Sequence, residues 1–85
     1  VLECIPSDLA KTVSEKLKIP TIGIGAGRDC DGQVLVSYDM LGITTGKQPR
    51  FVRNFLKNQN TISEALESFV AEVKEGTFPS KSESY

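Results

Sequence analysis

Two stretches, Val1-Leu2-Glu3-Cys4-Ile5-Pro6 and Ile19-Pro20-Thr21-Ile22-Gly23-Ile24-Gly25-Ala26-Gly27, decide the fold. Each holds a short apolar run bounded by turn chemistry, as buried strands do: Val1 to Ile5 in the first and the alternating Thr21 to Gly27 in the second. Between them Leu9, Val13 and Leu17 recur every fourth residue with Ala10 beside them, while Lys11, Thr12, Glu15 and Lys16 fall on other faces. That spacing predicts an amphipathic helix of about three turns. Ser7 is its expected N-cap, and Ile19-Pro20 stops it, because the residue before a proline is pushed out of the helical region. Strand, helix and strand within residues 1–27 form a βαβ unit, so the fold class is α/β with parallel strands and a right-handed crossover. In the second strand, alternation places Ile22, Ile24 and Ala26 on one side and Gly23, Gly25 and Gly27 on the other. A face of bare backbone serves either close packing or room for a ligand, and both readings stand.

Further along, Asp29 to Gly32 is turn chemistry, Gln33 to Val36 is a third short strand, and Tyr38 to Leu41 is one helical turn closed by Gly42. Thr44 to Pro49 reads as loop, and Phe51, Val52, Phe55 and Leu56 form an apolar patch. Thr61-Ile62-Ser63-Glu64 then fits a capping box. Ile62, Ala65, Leu66, Phe69, Val70 and Val73 keep helical spacing, so a helix over 61–74 lies on something apolar, with Gly76 beyond its end and Pro79 barring its resumption. Residues 1–79 form one unit, and 80–85 are a polar tail expected to fray.

The chain has 85 residues, too few to enclose a barrel of about 250 residues by itself. Ten basic against eleven acidic residues leave a net charge of −1, with no basic run, so nucleic acid is not expected as a partner. No apolar run is long enough to span a bilayer and no signal peptide is visible, which predicts a cytoplasmic protein without a membrane partner. Cys4 and Cys30 stand far apart in a chain without histidine, so two reduced, partly buried thiols are expected and no zinc site. The sequence opens on Val1 inside an apolar run, as a piece cut from a longer chain would.

Several motif resemblances fail on spacing. Gly23-x-Gly25-x-Gly27 has Arg28 where a dinucleotide loop needs its third glycine, and no long helix follows directly. Gly42 to Lys47 is one residue short of a phosphate loop, and Gln48 replaces its Ser/Thr. Asp29-x-Asp31-Gly32 lacks the further acidic ligands of a calcium loop and reads as a solvated turn. Glu3 is the most informative residue. A carboxylate among Val1, Leu2, Cys4 and Ile5 at the end of a parallel strand stands where such sheets place catalytic groups, and apolar neighbours would raise its pKa toward general acid/base use. An ordinary strand carboxylate with a salt-bridge partner in the missing part of the longer chain is the competing reading.

Leu2-Glu3-Cys4-Ile5-Pro6, Ile19 to Gly27, Asp31-Gly32-Gln33-Val34-Leu35-Val36, Asp39-Met40-Leu41-Gly42, Pro49-Arg50-Phe51-Val52 and Gly76-Thr77-Phe78-Pro79 stand in one order along the chain. In these motifs the sequence resembles the C-terminal third of the ketopantoate hydroxymethyltransferase family. The resemblance implies the end of a (β/α)8 TIM barrel of the phosphoenolpyruvate/pyruvate superfamily, in a cytoplasmic homodecamer. It implies hydroxymethyl transfer from 5,10-methylenetetrahydrofolate to 3-methyl-2-oxobutanoate, giving 2-dehydropantoate for pantothenate synthesis. It further implies Mg²⁺, whose ligands and the oxo acid contacts come from earlier strands, and Glu3 as the acid/base residue. The isolated 85-residue piece is then expected to be inactive. Tyr38, Ser80 and Glu83 depart from the family pattern, which has His, Gly and His there. A non-catalytic interaction module, a decayed gene product, or another enolate-forming barrel enzyme are the alternative readings.

Overall fold

A computed structural model describes all 85 residues. Strand β1 (Leu2–Glu3) leads into helix α1 (Ser7–Lys16), followed by β2 (Ile22–Ile24), β3 (Gly32–Gln33), the single helical turn α2 (Ser37–Met40) and helix α3 (Ile62–Glu75). A 3₁₀ turn at Lys81–Glu83 closes the chain. The strands form one parallel sheet in the order β1-β2-β3, with Leu2 paired to Gly23, Glu3 to Ile24, Ile22 to Gly32 and Gly23 to Gln33. The βαβ unit is therefore present, in shorter strands than the apolar runs suggest. Two local features shorten β2 and β3. Gly25 turns left-handed at φ +67°, so strict alternation stops at Ile24 and does not reach Ala26. Beyond Gln33 only the Val34 N–H continues the ladder, to the Gly23 carbonyl at 3.0 Å, before α2 begins.

The register separates two faces, because successive strand residues point to opposite sides. Thr21 shares its side with Gly23, and its buried hydroxyl lies 2.7 Å from Ser14 Oγ of α1. That contact puts α1 over the Gly23 face. Asp31 reinforces the junction, its Oδ2 accepting from the Thr21 N–H at 2.8 Å and the Thr21 hydroxyl at 3.1 Å. Asp31 thus has a built partner and is more than the solvated turn residue its spacing predicts. On the opposite face Val1, Ile22 and Val34 are exposed, with Val1 at 88%. Glu3 stands on that same face.

The core lies among Leu35, Met40, Phe51, Phe55, Ala65 and Phe78, with Ile24, Phe69 and Val73 packed against it. Three rings, Phe55, Phe69 and Phe78, meet edge to face at centroid distances of 5.1–5.8 Å, the geometry their quadrupoles favour. Residues 51–56 supply core side chains from turns, without a helix of their own. Helix α3 forms where its periodicity predicts. Thr61 Oγ1 accepts the Glu64 N–H at 3.1 Å, and Gly76 at φ +76° provides the left-handed C-cap that a side chain would oppose. Thr61→Ala is expected to lower the unfolding free energy of the full-length protein by about 1 kcal/mol, read from the urea midpoint. Only the Ala65, Phe69 and Val73 side of the helix meets the core. Ile62, Leu66 and Val70 remain about half exposed.

Two end assignments differ from expectation. Ser7 is the first residue of α1 and Pro6 its cap, so Ser7 makes no capping bond, and its Oγ is buried without a partner. A proline fits there because its fixed φ suits a helix entrance. The 80–85 tail is held to the body: Tyr85 O accepts the Ser7 N–H at 3.3 Å, and the Arg50 guanidinium sits 4.6 Å above the Tyr85 ring.

Candidate active site

Parallel strands bring their C-terminal ends to one edge, where Glu3, Ile24 and Gln33 are the last paired residues. Glu3 is exposed there and no other side chain of the chain bonds its carboxylate. Glu3 thus stands at the C-terminal end of a parallel strand, on the face of Val1, Ile22 and Val34.

Immediately beyond Glu3 the backbone is unusual. Cys4 adopts φ +51°, the one residue other than glycine in the left-handed region, while its N–H donates to Ile24 O at 2.9 Å. Gly25, next to Ile24, is left-handed at the same level of the neighbouring strand. A Cβ on Gly25 would stand 2.9 Å from the Phe51 ring and 3.3 Å from Cys4 Sγ, so the bare backbone is filled by packing at this point. Close approach is the reading the structure supports for Gly25. Cys4 and Cys30 are both free thiols, the first exposed and the second half-buried.

The strongest electrostatic feature lies elsewhere and was not singled out by sequence. Arg53 donates from Nε and Nη2 to the two Glu83 oxygens at 2.9 and 2.7 Å, and from Nη1 to Glu72 at 2.6 Å. Its guanidinium also lies 5.2 and 5.0 Å from the Phe55 and Phe78 centroids. The hydrogen bonds to Glu83 raise the Arg53 pKa, against the opposing effect of burial. Burial pushes the Glu83 carboxyl up, but the bonds from Arg53 and Ser80 outweigh it and hold the group below the usual carboxylate range. This cluster fastens the tail to α3 and the core. Tyr38, another departure from the family pattern, is exposed on α2.

No three His, Cys, Asp or Glu side chains gather as a metal site. No helix is long and apolar enough to cross a membrane.

The sequence profile described as ketopantoate hydroxymethyltransferase matches residues 1–81. The 3-methyl-2-oxobutanoate hydroxymethyltransferase of Ruthia magnifica subsp. Calyptogena magnifica is 59% identical over all 85 residues, which cover 33% of that protein. Its namesake from Paraburkholderia phytofirmans is 60% identical over 79 residues, 93% of this chain and 29% of the relative. That from Neisseria gonorrhoeae is 58% identical over 79 residues, 30% of its length. The chain thus spans about a third of the length of these relatives. Its parallel βαβ core, its strand-end glutamate and the match across nearly every residue agree: the chain belongs to the ketopantoate hydroxymethyltransferase family.

Proposed function

We propose that the protein of which these residues form about a third transfers a hydroxymethyl group from 5,10-methylenetetrahydrofolate to 3-methyl-2-oxobutanoate, with Glu3 as the acid/base residue. The observation that carries the reading is the position of Glu3. Within a chain 59% identical to a hydroxymethyltransferase, it ends a parallel strand on the face where Val1, Ile22 and Val34 stand exposed. In a (β/α)8 barrel the helices lie outside and branched apolar side chains fill the interior, with catalytic groups at the C-terminal ends of the strands. A sheet with α1 on one side and exposed Val1, Ile22 and Val34 on the other suits an arc of such a barrel.

The chemistry is proton removal beside a ketone. The Glu3 carboxylate accepts the proton from C3 of the oxo acid, leaving an enolate whose C3 forms the new carbon–carbon bond to the one-carbon unit. Water adds to the methylene carbon first and both of its carbon–nitrogen bonds break, so tetrahydrofolate leaves with its two nitrogens protonated and the one-carbon unit is formaldehyde. The alkoxide formed when C3 attacks it takes the proton back from Glu3 and becomes the new hydroxyl. The residues present offer no cluster to hold the Mg²⁺ that the family resemblance implies, and Asp31 is already engaged by Thr21, so no step is routed through the metal here. A homodecameric assembly in the cytoplasm belongs to the same reading. Formation of 2-dehydropantoate from the two substrates by the full-length protein tests it. Turnover of a different oxo acid, with none of 3-methyl-2-oxobutanoate, overturns it in favour of another enolate-forming barrel enzyme.

The isolated residues 1–85 are expected to be inactive and to associate, because apolar side chains line the open sheet face and the free sides of α1 and α3. Sedimentation is expected to show mass rising with concentration. A monomer with a sharp thermal transition contradicts this.

A further inference from the structure

The left-handed residue after Glu3 is not explained by core packing, because Cys4 is exposed whereas structural free cysteines are typically buried. A strained conformation persists only where its surroundings over-determine it, and such positions concentrate at functional sites. Here the surroundings are visible. The Cys4 N–H is held by Ile24 O, its Sγ sits over the backbone of Gly25, and the Phe51 ring closes on Gly25 within 2.9 Å of where a Cβ would stand. An extended residue 4 would carry the ladder onward and leave Glu3 inside the strand. The left-handed turn instead ends β1 directly after the carboxylate and leads the chain through Pro6 into α1.

We propose that Cys4 is a positioning residue for Glu3, its left-handed backbone setting the carboxylate at the catalytic edge. The proposal rests on the catalytic reading of Glu3. The test uses the full-length enzyme and compares Cys4→Val, whose branched side chain opposes positive φ, with Cys4→Asn, which tolerates it. Since a misplacement of about 1 Å can cost roughly 100-fold, Cys4→Val is expected to lower kcat about 10- to 100-fold with little change in KM for the oxo acid. Cys4→Asn is expected to stay within about threefold of wild type, the tolerance of a conserved near-attack geometry. In a Glu3→Gln background Cys4→Val is expected to add no further loss, because its effect passes through Glu3. Should Cys4→Val fail to fold, Cys4→Thr takes its place, since it is also β-branched and opposes the left-handed region but is close to cysteine in volume. Wild-type kcat in the Val or Thr variant overturns the proposal, as does an equal loss in both backgrounds or a collapse of kcat in Cys4→Asn. A fully active Glu3→Gln enzyme overturns the catalytic reading itself, which separates the two failures.

Discussion

Glu3→Gln in the full-length enzyme is expected to reduce turnover by roughly 10²- to 10⁴-fold, the range by which a positioned acid/base group accelerates proton transfer. The substitution keeps the shape of the side chain and its capacity to accept a hydrogen bond, but removes the carboxylate that takes the proton. Glu3 is exposed at the strand end and makes no bond to another side chain of this chain, so its replacement disturbs no internal contact. Binding of the oxo acid is therefore expected to survive while kcat falls. The clearest readout is the exchange of the C3 proton of 3-methyl-2-oxobutanoate with deuterated water, which isolates enolate formation from the later carbon–carbon step. Exchange should drop in parallel with turnover. Exchange at the wild-type rate would remove Glu3 from the chemistry, and a loss confined to KM would make it a binding group.

Much of this was legible in the sequence because the deciding signals are local. Period-four spacing at Leu9, Val13 and Leu17 and the cap and glycine around α3 specify helices through their own neighbours. The apolar run around Glu3 marks a strand in the same way. Three features were not legible, each for a reason of tertiary geometry. Ser7 reads as a cap by residue type, yet the helix begins one residue earlier, with Pro6 at the capping position. The strand lengths depend on where Cys4 and Gly25 turn left-handed, and nothing in a cysteine's identity announces φ +51°. Arg53 and Glu83 lie thirty residues apart in sequence, in a turn and a polar tail, so no periodicity joins them. The tail's expected fraying fails for the same reason, since its anchor is a distant side chain. The likeness to the family, by contrast, was readable in several ordered motifs, and the match over residues 1–81 supports it.

Arg53→Met is expected to destabilise the full-length protein by about 2–3 kcal/mol at neutral pH, less than for a fully buried pair because the Arg53 side chain remains 28% exposed. Methionine retains apolar contact with Phe55 and Phe78 but leaves Glu83, whose side chain is 15% exposed, without its cation. An unpaired, largely buried carboxylate accounts for most of the expected loss. Glu72→Gln should cost under about 1 kcal/mol, since Glu72 is more exposed and only one of its oxygens meets Arg53. The effect carries a pH signature. Folding lowers the Glu83 pKa below its unfolded value of about 4.3, so the pair's contribution is fully present above that pH and is lost as pH falls through the depressed folded value. Arg53, shifted upward, contributes throughout the acidic and neutral range and changes only at extreme alkaline pH. Urea titrations should therefore show a gap between wild type and Arg53→Met that is full at neutral pH and narrows as pH falls into the acid range, where the unpaired Glu83 of the variant takes up a proton first. Trypsin supplies an independent readout at Lys81, in the turn that Glu83 fastens: cleavage there should quicken in Arg53→Met and slow again when Glu83 is also replaced by Gln and no longer needs a cation. A gap that persists unchanged into strong acid would assign the stability to the apolar stem of Arg53 on the two rings instead of to its charge.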